Sequence, residues 1–339
     1  MREPFWWGDG SVAALTRFAL SPLSVAWWGV STVRNLAFDL GVLRSARTGL
    51  PVVSVGNVTV GGTGKTPVAS WLAGRFLARG VRPGIVLRGY GGDETLVHQE
   101  LQPEATVVAS SNRIAGIAAA RDAGASVVIL DDAMQHRGVH RDVDIALVSA
   151  DVPWPRWTLP AGPLRESWAA GLRRADLVIV TEKASSSAQV AAAVAASRRH
   201  GARCVAAVRL AAGELRAALG GGERALTDVR GTRILAVSGI ANPTPFLRTL
   251  SDAGAVLDVA TFGDHHRFGA VDVDRLLARA RGVDFVVCTL KDAVKLRQSW
   301  PQSGPGLWYV SQRVEPIEGA SEIEAALDRV SSRPDTSST

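Results

Sequence analysis

Residues 55–67, VGNVTVGGTGKTP, constrain the fold of this chain more than any other stretch. A β-branched apolar run at 52–55 leads into a glycine-rich loop, and a helical pattern follows at 68–77. Glycines let backbone N–H groups close on phosphate oxygens, and the N-terminus of a helix adds its positive dipole end. The lysine suits the β- and γ-phosphates, and the threonine hydroxyl suits Mg²⁺. The order of strand, loop and helix therefore predicts a nucleoside triphosphate site.

The predicted phosphate-binding residues run without a break along this loop. They are Thr59, Val60, Gly61, Gly62, Thr63, Gly64, Lys65 and Thr66. The strict phosphate-loop pattern has glycine where this chain has Thr59, so the loop is a variant of that pattern. A glycine-rich turn without a ligand is the alternative interpretation. The order of the flanking elements favours phosphate binding.

An acidic pair follows the apolar run at 127–130. Asp131 and Asp132 come directly after it, where a phosphate loop requires a carboxylate for its metal at the end of a nearby strand. Adjacent side chains at this point face different ways, so one can face the metal while the other binds water or substrate. We expect Asp131, Asp132 and Thr66 to ligate Mg²⁺. The alternative is that Asp132 caps the next segment.

Short apolar strands alternate with helical segments from residue 51 onward. Strands are predicted at 52–55, 85–87, 106–109, 127–130, 145–148 and 177–180, and helices at 68–77, 113–122 and 187–199. This alternation predicts an α/β fold of P-loop NTPase type, with a mostly parallel sheet flanked by helices. A second alternation at 234–237, 245–253, 256–261, 271–280, 285–289 and 293–296 predicts a smaller α/β domain.

These patterns divide the chain into five predicted regions. They are an N-terminal apolar and aromatic helical segment (1–48), a P-loop domain (49–207), a linker around three consecutive glycines (208–230), a smaller α/β domain that closes over the cleft (231–330) and a disordered polar tail (331–339).

The composition is that of a globular chain with an ordinary density of charge. Of its 339 residues 47% are hydrophobic and 21% are charged, which suffices for a sizeable core. The net charge of +6 fits an anionic partner such as a nucleotide or an anionic membrane. Cys204 and Cys288 lie in apparent strands without metal-like spacing, so we expect two buried, reduced thiols and no disulfide framework. Neither nucleic acid nor an obligate protein partner is indicated.

The N-terminal segment is rich in tryptophan. An uncharged stretch from Phe18 to Val33 contains Pro22 and is shorter than the ~20 apolar residues that a membrane span requires. Tryptophans prefer the bilayer interface, and basic residues such as Arg34 favour anionic head groups. We expect a helix that lies on, or dips into, a membrane surface. A buried N-terminal helix pair is the alternative.

Several stretches, together with the phosphate loop, resemble one family, the tetraacyldisaccharide 4′-kinases, which are the lipid A 4′-kinases of Gram-negative bacteria. They are Arg88-Gly-Tyr-Gly-Gly92, Leu130-Asp-Asp-Ala-Met-Gln-His-Arg137 with Arg141-Asp-Val-Asp144, Leu159-Pro-Ala-Gly-Pro-Leu-Arg-Glu166, Gly263-Asp-His-His266 and Thr289-Leu-Lys-Asp-Ala-Val-Lys-Leu296. The resemblance covers nearly the whole chain, and the motifs follow the order of the family.

The resemblance implies a reaction and its setting. The γ-phosphoryl group of ATP, bound with Mg²⁺, would pass to the 4′-hydroxyl of an acylated glucosamine disaccharide 1-phosphate to give lipid IVA. Such an enzyme would work at the cytoplasmic face of the inner membrane of a Gram-negative bacterium. Lys65 and the N–H groups of the loop would compensate the charge on the transferred group.

The resemblance also implies a general base. The family places an aspartate in a Gly-Asp-Glu segment, which Gly92-Asp93-Glu94 matches here, although the segment between it and the Arg-Gly-Tyr motif is much shorter. Asp93 as a helix N-cap is the alternative. His265 corresponds to the histidine that pairs with this aspartate across the domain cleft, and His266 competes for that role. An imidazole can orient a carboxylate and tune its basicity.

The remaining site residues follow from the same motifs. Glu166 resembles a further metal carboxylate, and Arg165 a catalytic arginine that contacts phosphate. The substrate contacts are expected from Arg88, Tyr90, Arg113, Gln135 and His136. For Arg113 a solvated surface charge is the alternative.

Two other functions fit a phosphate loop. One is a soluble P-loop kinase or ligase of a small metabolite, for which the aromatic N-terminus would have no use. The other is a non-catalytic switch in which ATP closes the two domains. A GTPase is disfavoured because no Asn-Lys-x-Asp segment is evident.

Overall fold

The structure is a computed structural model that describes residues 6, 8, 10–89 and 92–331. The chain forms two compact units. The first comprises Met1–Arg88, Gln102–Arg209 and Glu315–Thr339, and the second comprises Gly89–Leu101 and Leu210–Val314. The predicted tail lies outside the described residues from 332 onward.

The helices and strands have the following bounds in chain order. They are α1 (Ser11–Asp39), β1 (Val52–Asn57), α2 (Lys65–Leu77), β2 (Pro83–Leu87), α3 (Asp93–Leu101), β3 (Thr106–Ala109), α4 (Arg113–Asp122), β4 (Val127–Asp131), β5 (Val143–Ser149), α5 (Trp168–Arg174), β6 (Leu177–Glu182), α6 (Ser187–Arg199), β7 (Val205–Ala217), β8 (Glu223–Arg224), a 3₁₀ turn (Leu226–Val229), β9 (Arg233–Ser238), α7 (Thr244–Asp252), β10 (Val256–Thr261), α8 (Ala270–Arg279), β11 (Phe285–Cys288), α9 (Leu290–Leu296), β12 (Leu307–Glu318) and α10 (Ala320–Ser331).

The first unit has a parallel sheet with the strand order β7-β6-β5-β1-β4-β2-β3. Strands β1, β4, β5 and β6 are buried along their whole length, as expected for a parallel sheet covered on both faces. One core cluster joins the sheet to α4 and another joins it to α5 and α6. The predicted fold class is confirmed.

Helix α2 begins at Lys65, three residues before the predicted start at 68. Pro67 lies in the first turn of this helix, which tolerates proline because the N–H groups of that turn have no partner within the helix. Strand β1 likewise extends to Asn57, two residues beyond the prediction. Both extensions bring polar side chains to the edge of the phosphate loop.

The second unit contains the parallel strand order β10-β9-β11-β12. Helices α7, α8 and α9 lie at the predicted positions within a few residues. The predicted linker differs from the structure, because strands β7 and β8 and the 3₁₀ turn occupy most of residues 208–230. Gly220, Gly221 and Gly222, all with positive φ, form the turn between β7 and β8, and the looser pattern there reflects a hairpin.

Helix α3 belongs to the second unit, whereas the predicted boundaries placed it in the P-loop domain. Glu94 and Glu100 of α3 each contact other side chains of that unit. Glu100 pairs with Arg297 and accepts a hydrogen bond of 3.0 Å from the Tyr309 hydroxyl, and Glu94 lies 3.9 Å from Lys291. Burial and the neighbouring Glu100 raise the pKa of Tyr309 to about 12, so its hydroxyl stays protonated.

Helix α1 is a single helix that continues through Pro22, and Ser24 is its only buried residue within the described part of the chain. Many of its apolar side chains are exposed, including Phe18 (76%) and Val33 (68%). None of the described helices is long and apolar enough to cross a membrane.

The two cysteines differ in their surroundings. Cys288 lies in β11 and is buried, as predicted, and burial raises the pKa of its thiol well above the ordinary value. The prediction for Cys204 is wrong, because this residue is exposed and precedes β7. The apolar run that follows Cys204 is the buried strand.

Candidate active site

The phosphate loop joins β1 to α2 and leaves the first turn of α2 open. Gly61 and Gly64 have φ values of +121° and +83°, which only glycine adopts readily. Gly64 is the N-cap of α2, and no side chain caps this helix end. The N–H groups of the first turn, together with the helix dipole, therefore form an anion site.

Lys65 lies at the start of α2 among oxygen atoms. Its Nζ is 3.3 Å from Asn57 Oδ1, 3.5 Å from the Gly61 carbonyl oxygen and 3.7 Å from Asp132 Oδ1. Sequence reasoning missed Asn57, although a buried asparagine at the end of an apolar strand is the kind of signal that marks such a position.

The acidic pair lies where β4 ends. Asp131 is the last residue of β4 and is buried, and Asp132 has a left-handed φ of 51°. Arg165 donates hydrogen bonds of 2.8 and 3.2 Å to the two Asp132 oxygens. Partial burial raises the pKa of Asp132, but Lys65, Arg165 and Arg113 more than compensate and hold it below its usual value. Asp132 is therefore ionised at neutral pH.

The segment with the most distinctive motif, residues 159–166, runs beside the phosphate loop. Leu164 forms a β-bridge with Thr59, and the Val60 N–H donates to the Pro163 carbonyl at 2.7 Å. The Arg165 N–H donates to the Val58 carbonyl at 2.8 Å. Thr59, which stands in place of a glycine, is buried in this bridge and has no positive φ that would require glycine.

Glu166 differs from its predicted role as a metal ligand. Arg174 donates to both of its carboxylate oxygens, and Gln135 Nε2 and Asn35 Nδ2 each add a hydrogen bond of 2.9 Å. Burial raises the pKa of Glu166, but hydrogen bonds from Arg174, Gln135 and Asn35 and the charge of Arg174 lower it by more. The pKa of Glu166 is therefore below its ordinary value. With both oxygens engaged by the protein, Glu166 fits a structural role. Sequence reasoning missed Arg174 and Asn35.

The predicted substrate residues Arg113, Gln135 and His136 lie near the acidic pair. Arg113 is buried and donates to the Asp131 carbonyl at 3.1 Å, so it is not the solvated surface charge of the alternative. Gln135 bridges Glu166 and the Asn57 carbonyl and accepts from Arg165 at 3.1 Å.

His136 lies among positively charged side chains. Partial burial lowers its pKa, and the charges of four arginines lower it further. They are Arg113, Arg34, Arg141 and Arg88. An anion bound among these groups would be stabilised. Arg88 follows β2 directly, whereas the predicted contact Tyr90 lies outside the described residues.

The donors predicted for Mg²⁺ are chemically suited to it. Thr66, Asp131 and Asp132 offer a hydroxyl and carboxylate oxygens, the hard ligands that Mg²⁺ prefers beside substrate phosphates. The described residues contain no cluster of three or more His, Cys, Asp and Glu side chains that could hold a metal.

The second unit contributes an aspartate–histidine pair. His265 Nδ1 lies 2.9 Å from Asp93 Oδ2, and the Asp93 carboxylate is buried whereas the His265 ring is half-exposed. His265 has a left-handed φ of 54°, an uncommon conformation for a non-glycine residue. The pair lies within one unit rather than across the predicted domain cleft.

The neighbouring His266 has a different partner. Its Nε2 lies 3.0 Å from Asp272 Oδ2, and its ring packs against Phe262 and Phe268. These contacts stabilise the turn before α8. Of the two histidines, His265 is the one that contacts Asp93, as predicted.

Comparisons with known proteins agree over most of the chain. The sequence model of the tetraacyldisaccharide-1-P 4′-kinase family matches residues 16–332. Tetraacyldisaccharide 4′-kinases of Anaeromyxobacter dehalogenans (strain 2CP-C) and Geobacter metallireducens are each 36% identical to this chain. The alignments cover 96% of this chain and 94% of the first relative, and 92% and 97% for the second.

A solved structure is similar as well. The crystal structure of the "apo" form of LpxK from Aquifex aeolicus in complex with ATP has a TM-score of 0.73 and 26% sequence identity. The match covers 93% of this chain and 99% of that chain.

Proposed function

This chain belongs to the tetraacyldisaccharide-1-P 4′-kinase family. We propose that Asp93 and His265 activate the acceptor hydroxyl when the enzyme transfers phosphate from ATP. The reaction phosphorylates the 4′-hydroxyl of tetraacyldisaccharide 1-phosphate in lipid A biosynthesis. The observation that carries this assignment is the 2.9 Å contact between His265 Nδ1 and the buried Asp93 carboxylate.

The acceptor hydroxyl must lose its proton as it attacks phosphorus. A positioned carboxylate can take that proton, and an imidazole on its other oxygen fixes its orientation. Asp93 Oδ1 accepts from the Glu94 N–H at 3.1 Å, so both oxygens of Asp93 are held in place. Asp93 therefore acts as the base, and His265 orients it.

The charge of the transferred phosphoryl group must also be compensated. The open first turn of α2, the Lys65 ammonium and the Arg165 guanidinium supply positive charge in the first unit. The Asp93–His265 pair, proposed above as the base and its orienting group, lies in the second unit.

Mg²⁺ is the expected companion of ATP. Thr66, Asp131 and Asp132 would hold it, and the ion would neutralise charge on the phosphates. Because its pKa is lowered, Asp132 is ionised at neutral pH and could ligate a cation. Arg165 and Lys65 both contact the Asp132 carboxylate.

The phosphate on the acceptor requires cationic contacts. Arg88, Arg113 and His136, with Gln135 beside them, provide a positive region next to the acidic pair. Arginine geometry suits phosphate oxygens. We assign this region to the 1-phosphate and the sugar of the substrate.

The lipid chains of the substrate imply work at a membrane surface. Helix α1 exposes several large apolar side chains, among them Phe18, Leu23 and Val33. Such a surface suits a bilayer interface. Because the reaction uses ATP, we infer that in a Gram-negative cell this interface is the cytoplasmic face of the inner membrane.

The direct test is a product assay. Purified protein, ATP with Mg²⁺ and tetraacyldisaccharide 1-phosphate in mixed detergent micelles should give the 1,4′-bisphosphate, which mass spectrometry identifies. The absence of that product, under conditions in which a related kinase converts the same micelles, would reject the proposed function.

A further inference from the structure

One face of α1 carries side chains that form hydrogen bonds with the rest of the first unit. Many apolar side chains of the same helix are exposed. Ser24, Trp27, Arg34 and Asn35 lie within roughly 100° of arc at 3.6 residues per turn. Ser24 is buried, donates to the Thr158 carbonyl at 2.8 Å and accepts from the Ala161 N–H. The helix is therefore fixed to the segment that precedes Arg165.

Three further contacts from this face reach the site itself. Trp27 Nε1 donates to the Arg165 carbonyl at 2.9 Å, and Asn35 Nδ2 donates to Glu166 Oε2 at 2.9 Å. Arg34 donates to the Gln135 carbonyl at 3.0 Å. All three acceptors belong to residues that contact the Asp132 turn or one another.

The Arg165 backbone is consequently held on both sides. Its N–H donates to the Val58 carbonyl at the start of the phosphate loop, and its carbonyl accepts from Trp27. The guanidinium projects from this fixed point to Asp132 and Gln135. Without the Trp27 bond, only one side of the Arg165 backbone would be fixed.

Asn35 acts on the same group through a short chain of contacts. It holds Glu166, Glu166 accepts from Gln135, and Gln135 accepts from Arg165. Gln135 also donates to the Asn57 carbonyl, next to the Lys65 contact with Asn57 Oδ1. Hydrogen-bonded networks of this kind fix side-chain orientation more firmly than single bonds do.

We propose that Trp27 and Asn35 are positioning residues for phosphoryl transfer, so that α1 is part of the catalytic framework as well as a surface for lipid. Both act through Arg165, and the proposal rests on the charge-compensating role of Arg165 proposed above. Misplacement of such a group by about 1 Å can slow a reaction up to 10²-fold.

The test compares two adjacent tryptophans on α1. Trp27 and Trp28 are exposed to similar extents (44% and 48%), so W27F and W28F make the same change to two similarly exposed side chains. Only Trp27 donates its indole N–H to Arg165. The acceptor should be a water-soluble disaccharide 1-phosphate with short acyl chains, which removes membrane binding from the measurement.

We expect W27F to lower kcat about 10-fold with little change in KM for ATP or acceptor, and W28F to match the wild type. Equal kcat values for W27F and W28F, with an active wild-type protein, would overturn the positioning role. An inactive wild type would instead count against the proposed function.

A second variant keeps the test decisive if W27F does not fold. N35S shortens the side chain and removes the donor to Glu166, whereas N35Q keeps the amide. Thermal unfolding identifies the folded variants. A loss of kcat in N35S that N35Q partly restores supports the proposal, and unchanged kcat in folded N35S contradicts it.

Discussion

Arg165 donates two hydrogen bonds to the Asp132 carboxylate, at 2.8 and 3.2 Å. This bidentate pair places a guanidinium beside the end of β4, next to the Lys65 ammonium. A planar guanidinium can exchange one set of oxygens for another of similar spacing, such as those of a phosphoryl group. Arg165 therefore has a defined position from which to meet the transferred group.

Arg165→Lys should lower kcat by about 10²-fold or more, because an ammonium cannot form two parallel hydrogen bonds to the transferred group. KM for ATP should change little, since Lys65 and the loop remain. Steady-state kinetics with the acceptor in micelles check this. Arg203→Lys, at an exposed position before β7, is the control. Wild-type kcat in Arg165→Lys would contradict the assigned role.

The Glu166–Arg174 pair should matter for stability. Arg174→Met leaves Glu166 as a buried carboxylate without its cation, and we expect a loss of about 3–5 kcal/mol in the free energy of unfolding. Urea denaturation at pH 7 measures it, and Arg173→Met at the exposed neighbouring position is the control. A loss below about 1 kcal/mol would show that the pair contributes little.

The same pair gives a pH dependence with a defined sign. The folded-state pKa of Glu166 lies below its unfolded value of about 4.3, so the pair stabilises the fold fully above that value. The contribution is lost as the pH falls through the folded-state pKa. As the pH falls below about 4.3 towards the folded-state pKa, Glu166→Gln should therefore show less acid destabilisation than the wild type. An equal acid dependence of both proteins would exclude Glu166 as a contributor.

His136 should report binding of the acceptor phosphate. Its pKa is lowered by partial burial and by neighbouring arginines, and a bound anion would offset their charge. The pKa of His136 should therefore rise when a deacylated disaccharide 1-phosphate is added without ATP. NMR titration of the histidine rings measures it. His200, whose pKa is lowered by burial, Arg199 and Arg173, provides the reference resonance that should not move.

Helix α1 should bring the protein to lipid. Phe18→Glu with Val33→Glu places two charges on its exposed apolar surface and should abolish co-sedimentation with anionic vesicles. Val256→Glu with Val271→Glu changes two exposed valines of the second unit and is the control. Turnover of a water-soluble acceptor should persist in both. Vesicle binding that survives the α1 changes would contradict the membrane role.

The sequence predicted the parts of this site that depend on local order. Gly64, Lys65 and the Asp131–Asp132 pair follow from the rule that parallel strands bring their carboxyl ends to one edge, and the fold class follows from the alternation itself. The choice of His265 over His266 came from resemblance to a family rather than from geometry.

The other contacts of the site depend on how the side chains meet once the chain is folded. Trp27 carries no local pattern, because its partner Arg165 lies 138 residues away in the chain. Asn57 and Arg174 each lie eight residues from their partners Lys65 and Glu166, but the sequence does not show that these side chains meet. The sequence also does not show that Arg174 pairs with Glu166, the carboxylate that we predicted as a further metal ligand. The assignment of α3 to the second unit likewise rests on Glu100 and its distant partners.

The kinetics of Asp93→Asn test the central claim most directly. An amide keeps the shape of the side chain but cannot take the proton of the acceptor hydroxyl, so kcat should fall by about 10²-fold or more. Binding of ATP, measured by isothermal titration calorimetry, should be unchanged. Asp272→Asn, which removes the partner of His266, should keep wild-type turnover. Wild-type kcat in Asp93→Asn would contradict the assignment of Asp93 as the base.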